Sequence, residues 1–127
     1  MPETPSVNVR YMVGDVATAL DFYTRHLGFA VQADMRPAFA SVTRGALRLL
    51  LSGPTSSAGR AMPDGKRPEA GGWNRIQLIF GDLGAEVARL RAAGLKFRND
   101  IVKGPGGAQI LLEDPAGNLV ELFQPAG

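Results

Sequence analysis

Few side chains in this sequence can do chemistry, and their types narrow the choices at once. There is no cysteine, which removes thiolate nucleophiles, thiolate metal sites and disulfide frameworks. The one histidine, His26, falls beside Arg25 at the end of a helical stretch, where a cation suits the helix dipole. Without a second histidine, a serine–histidine–acid relay is not expected. Gly104, Gly106 and Gly107 are not followed by Gly-Lys-Ser/Thr, and a strand pattern comes next, so they read as a turn and not as a phosphate loop. What remains is a set of polar side chains interleaved with apolar ones. Asn8 and Arg10 alternate with Val7, Val9 and Tyr11, and Arg75 and Gln77 alternate with Ile76 and Leu78. Glu121 shares its parity with Phe123. A guanidinium offers a fixed fork of N–H donors that fits carboxylate, phosphate or enolate oxygens. A buried carboxylate near such groups needs one of them as a partner.

The elements that carry these residues come in two similar copies. Asn8-Val9-Arg10-Tyr11-Met12-Val13-Gly14-Asp15 is followed by a helical stretch and Leu27-Gly28-Phe29. Arg75-Ile76-Gln77-Leu78-Ile79-Phe80-Gly81-Asp82 is followed by a helical stretch and Gly94-Leu95-Lys96-Phe97. Such register argues for a duplicated supersecondary unit. Each copy opens with a strand whose purely apolar face packs under a helix and whose mixed face looks elsewhere. Asp15 and Asp82 stand as helix N-caps. Val16, Leu20, Tyr23 and Leu27 form one helical stripe, and Leu83, Val87 and Leu90 form the other. Gly28 and Gly94 stand where a left-handed C-terminal cap belongs. Three strands are expected after each helix: residues 30–34, 39–43 and 47–52, then 96–102, 108–113 and 119–124. Each unit is therefore βαβββ. Residues 53–73 are rich in glycine, proline and serine and read as a long connection. It is either a passive linker or a lid with Met62 and Trp73 as apolar contacts.

The chain has 127 residues and 13.5 kDa, of which 45% are hydrophobic, the size and make-up of one globular domain. A formal charge of +2 is no nucleic-acid footprint. No signal peptide or membrane-length apolar run is read near the N-terminus or elsewhere, so a cytoplasmic protein is expected, with neither nucleic acid nor membrane as a partner.

The repeat, together with Asp21-Phe22-Tyr23, Leu27-Gly28-Phe29 and the segment Asp114-Pro115-Ala116-Gly117-Asn118-Leu119-Val120-Glu121-Leu122, resembles the vicinal oxygen chelate superfamily. That group includes glyoxalase I, bleomycin-resistance proteins, fosfomycin-resistance enzymes and extradiol dioxygenases. The resemblance covers nearly the whole chain. It implies an α+β fold in which two βαβββ modules, residues 6–52 and 74–124, join into one curved mixed β-sheet cup with helices outside. The whole of 1–127 would then be one domain. Enzymatic members place metal ligands at positions that correspond here to Asn8, Arg75 and Glu121, and some add a glutamate for which Leu50 is the best match.

That correspondence departs from a metal site. Glu121 is one good donor and the Asn8 amide a weak one, whereas Arg75 offers only N–H groups and a repelling charge. The expectation is therefore a small-molecule-binding protein of the glyoxalase/bleomycin-resistance type, without the usual metal centre and without a cofactor. The polar ligand-binding candidates are Asn8, Arg10, Arg75, Gln77 and Glu121. The apolar ones are Met12, Phe39, Leu50, Ile79, Leu111 and Phe123. Glu121 is expected to pair with Arg75, Arg10 or both. A homodimer is expected, as is common in the superfamily. The alternative is a lyase, isomerase or dioxygenase of the superfamily that works through a rearranged metal site or metal-free chemistry.

Overall fold

A computed structural model describes residues 7–127; the expected module start at residue 6 lies outside the described residues. Asp15 caps α1 (Val16–His26) by accepting from the Ala17 N–H at 3.0 Å. Asp82 caps α2 (Leu83–Ala92) by accepting from the Ala85 N–H at 3.0 Å. Each cap removes one of the orphan N–H groups of a first turn. Both helices end at a glycine of positive φ, Gly28 at 73° and Gly94 at 82°. There the Phe29 N–H returns to the Tyr23 carbonyl and the Leu95 N–H to the Leu90 carbonyl.

The two βαβββ units divide at Gly71–Gly72. In the first, β1 (Val7–Met12), β2 (Ala30–Met35), β3 (Phe39–Arg44) and β4 (Leu47–Ser52) form a sheet in the order β1-β4-β3-β2. In the second, β5 (Ile76–Ile79), β6 (Val102–Gly104), β7 (Gly107–Glu113) and β8 (Leu119–Pro125) repeat that order as β5-β8-β7-β6. The opening strand pairs parallel with the closing strand in each unit, and the other pairings are antiparallel. Both sheets are mixed, as the repeat predicts.

Each unit has its own core on the helix side of its sheet. Tyr11, Leu49, Leu51, Ala40 and Val42 are buried with Val16, Leu20, Tyr23 and Leu27 of the first helical stripe. In the second unit Ile76, Leu78, Ile110, Leu112, Val120 and Leu122 are buried with Leu83, Val87 and Leu90. Alternation thus leaves the polar parity of each sheet facing away from its helix.

One expected strand is corrected. The segment 96–102 is not continuous. Phe97 makes a single bridge to Leu112, and the regular strand is Val102–Gly104. The Arg98 N–H still donates to the Leu111 carbonyl and the Glu113 N–H to the Lys96 carbonyl. The Leu111 N–H, however, is taken by Oδ1 of Asn99 at 2.9 Å. An asparagine side chain therefore replaces a ladder acceptor, and the backbone leaves the sheet for several residues. Residues 53–73 carry one 3-10 turn, Ser57–Gly59, and local turns at 62–66. Met62 and Trp73, the apolar contacts that the lid alternative offers, are both exposed. No helix among the described residues is long and apolar enough to cross a membrane.

Candidate functional site

In the second unit the position of Glu121 is set by the turn before it. Oδ1 of Asp114 accepts from the backbone N–H groups of Ala116 and Asn118, and the Asn118 side-chain amide donates to Oδ2 at 3.1 Å. Gly117 supplies the positive φ (91°) that the turn requires. β8 then leaves this turn in fixed register, with Glu121 opposite Gln77 on one side and Leu111 on the other. Phe123 is two residues on, opposite Ile79.

The Glu121 carboxylate is fully engaged. Nε and Nη2 of Arg75 donate to Oε1 at 3.0 and 2.8 Å, and Nε2 of Gln77 donates to Oε2 at 2.6 Å. Nη1 of Arg75 donates to the Trp73 carbonyl at 3.1 Å. The Glu121 side chain is 8% exposed and that of Arg75 29%. The acid is thus deeply desolvated, while its guanidinium partner reaches water. Around them Leu111 and Phe123 are half-buried and Ile79 is exposed. The Trp73 ring is exposed too, with the Arg98 guanidinium over it at 5.5 Å from the centroid.

In the first unit the corresponding face carries Asn8, Arg10 and Met12 on β1, Leu50 on β4 and Phe39 on β3. Asn8 lies opposite Arg48, Arg10 opposite Leu50, and Phe39 opposite Ser52. Nε of Arg48 donates to Oδ1 of Asn8 at 2.9 Å and Nη1 donates to Oε1 of Gln32 at 3.4 Å. Ser41 donates to the same Gln32 oxygen at 2.7 Å. Nη1 of Arg10 donates to the buried Ser52 hydroxyl at 2.8 Å. Of the two pairings expected for Glu121, the structure makes the one with Arg75; the described bond of Arg10 is to Ser52 in its own unit.

Sequence reasoning missed Gln32, Ser41, Ser52 and the Trp73 carbonyl. The register of β2 on β3 shifts between Val31 and Ala33, and that irregularity turns Gln32 onto this face. Nothing in the sequence marks it. Ser52 shares its parity with Leu50 and was open to discovery by alternation alone. His26 ends α1 and packs against the Phe22 ring, 6.0 Å between centroids, on the helix and not on the sheet face.

The pattern of two βαβββ units also has a counterpart among known families. The model of the Glyoxalase/Bleomycin resistance protein/Dioxygenase superfamily matches residues 7–122. The chain belongs to this superfamily. No curated protein matches the sequence. Among solved structures, lactoylglutathione lyase from Agrobacterium tumefaciens is 22% identical with a TM-score of 0.76, covering 97% of this chain and 95% of that one. At that identity the likeness speaks for the fold. TnmS3, an antibiotic binding protein from Streptomyces sp. CB03234, is 25% identical with a TM-score of 0.73, covering 99% and 98%. A superfamily member from Sphaerobacter thermophilus DSM 20745 is 26% identical with a TM-score of 0.74, covering 98% of each chain.

Members of the superfamily that use a metal hold it with oxygen or nitrogen lone pairs, and the residues here do not fit one. Both oxygen donors at the corresponding positions, Asn8 and Glu121, already accept from a guanidinium. The remaining position is Arg75 itself. Among the described residues no cluster of three or more histidine, cysteine, aspartate or glutamate side chains could hold a metal ion.

Proposed function

We propose that this superfamily member binds a small organic molecule on the helix-free sheet faces of its units, through contacts that do not involve a divalent metal. The observation that carries this reading is the closed arrangement at Glu121, whose two oxygens accept from Arg75 and Gln77. A cation there would have to displace a guanidinium from a carboxylate that is 8% exposed. The ligand contacts are the polar groups Asn8, Arg10, Arg75, Gln77 and Glu121 and the apolar side chains between them. Met12, Phe39, Leu50, Leu111 and Phe123 are half-buried and Ile79 is 58% exposed. An apolar lining with a few convergent polar groups is the usual make-up of a small-molecule site. The likeness to an antibiotic binding protein over 99% of the chain supports a binding role.

A thermal-shift screen of a small-molecule library, run with and without added divalent metals, tests the reading. Some compounds should raise the melting temperature equally under both conditions. Shifts that appear only with metal would overturn it.

The same reading takes the protein as a homodimer. β2 and β6 are edge strands, and Val31, Met35 and Val102 on them are exposed; edges of this kind benefit from cover. Light scattering should give twice 13.5 kDa; a monomer mass would count against it.

A further inference from the structure

Where the second unit has a carboxylate the first has an apolar side chain, and among the described residues Arg10 is left without a counter-charge. The offset that carries Asp15 onto Asp82 also carries Arg10 onto Gln77. Gln77 lies opposite Glu121, and Arg10 lies opposite Leu50. Leu50 is thus the counterpart of Glu121. In the second unit that position supplies the carboxylate that Arg75 and Gln77 hold. In the first it supplies four carbons.

The consequence shows in the partners of the two arginines on that face. Arg10 donates to the Ser52 hydroxyl, and Arg48 to the side-chain carbonyls of Asn8 and Gln32. All three acceptors are uncharged. The bond to Ser52 uses Nη1 of Arg10 alone. The Nε–Nη2 edge, the one with which Arg75 grips Glu121, has no partner among the described residues. A guanidinium takes a carboxylate side-on through this edge. Ser52, fully buried, fixes the other end of the group. Beside it lie Leu50, directly opposite, and the half-buried Met12 and Phe39.

We propose that the first unit recognises a carboxylate carried on an apolar ring system, with the carboxylate on the Nε–Nη2 edge of Arg10 and the ring against Leu50, Met12 and Phe39. This rests on the small-molecule-binding reading above and adds the charge and shape of the ligand. Arg48, anchored by Asn8 and Gln32, adds a second positive charge to the same face and disfavours cationic ligands there.

The test compares naphthoate with uncharged naphthamide by isothermal titration calorimetry. The wild-type protein should bind naphthoate about tenfold more tightly or better, the difference a charge-assisted bidentate contact makes. Arg10→Met should remove that preference and leave naphthamide binding in place. Arg25→Met, on the outer surface of α1, should leave the preference unchanged. Where Arg10→Met lowers the melting temperature too far for titration, the Arg10 Nε–H resonance of the wild-type protein is followed instead. It should move on adding naphthoate and stay in place with naphthamide. Equal affinities for the two compounds, or a preference that survives Arg10→Met, would overturn the inference while leaving the binding reading intact. Failure of naphthoate to bind would also overturn it; the binding reading is decided separately, by the library screen.

Discussion

Arg75 and Glu121 are joined by two N–H donors converging on one carboxylate oxygen, Nε at 3.0 Å and Nη2 at 2.8 Å from Oε1. The residues come from the two ends of the second unit and meet because β5 and β8 pair in parallel, with Gln77 opposite Glu121. The exposure of the pair is unequal: 29% for the Arg75 side chain and 8% for that of Glu121.

That inequality predicts an asymmetric mutant cycle. Arg75→Met strands a desolvated carboxylate with Gln77 as its remaining donor and should cost about 2–3 kcal/mol. Glu121→Gln leaves a guanidinium that water can reach and should cost less, about 1–2 kcal/mol. The double variant contains no stranded charge, so its loss should fall short of the sum of the singles by about 1 kcal/mol or more. Urea unfolding of the four proteins measures this. Additive losses would mean that the pair does not hold the site closed.

The same pair governs metal binding. Wild-type protein purified without chelator should carry no stoichiometric Ni, Zn, Mn, Fe or Mg, and chelator dialysis should not change its melting temperature. Arg75→His replaces a repelling cation with a lone-pair donor beside Glu121 and Gln77. This variant should gain a melting-temperature rise with nickel or zinc that the wild type lacks. Near-unit occupancy of the wild type by one of these ions would contradict the closed arrangement.

Alternation and punctuation made most of this legible in the sequence. Gly-Asp followed by an apolar stripe and a lone glycine located both helices, and the parity of Asn8, Arg10, Arg75, Gln77 and Glu121 assigned their sheet face. Parity cannot say which donor reaches which acceptor. The engagement of Glu121 by Arg75, and of Arg10 by Ser52, depends on side-chain reach along a sheet whose register only the structure gives. Gln32 depends on a register shift, and the break after Arg98 on an asparagine that competes with the ladder. Both are local choices between side-chain and main-chain acceptors, which hydrophobic period does not record.

The glycine cluster of the β6–β7 hairpin makes a third prediction, with its own control. Gly107 has φ 147°, and a Cβ there would overlap the Gln124 carbonyl oxygen. Gly107→Ala should cost about 2–4 kcal/mol from backbone strain and overlap. Gly104, its cross-strand partner, has open space where a Cβ would go and no positive φ. Gly104→Ala should be neutral or slightly stabilising, because it restricts the unfolded chain. Equal effects of the two substitutions in thermal unfolding would contradict the hairpin geometry.

The caps and turns of the first unit give stability an acid limb. The Thr18 hydroxyl, donating to Oδ2 of Asp15 at 2.9 Å, and the N–H groups of Thr18 and Ala17 hold the Asp15 carboxyl below the usual aspartate value. Asp34 is held down in the same way, first by the Arg36 guanidinium at 2.8 Å and then by the Arg36 N–H. A carboxyl whose pKa is lower in the folded chain than in the unfolded one stabilises the fold at pH values above the unfolded pKa, about 3.9. That contribution is lost as the pH falls through the folded value, because the unfolded chain binds the proton first. The melting temperature should therefore fall on acidification across this range. Asp15→Asn keeps an N-cap acceptor but removes the titration. It should leave the melting temperature near neutrality almost unchanged and flatten the fall in acid. An acid limb of the same steepness in Asp15→Asn and wild type would show that the Asp15 cap is not what titrates.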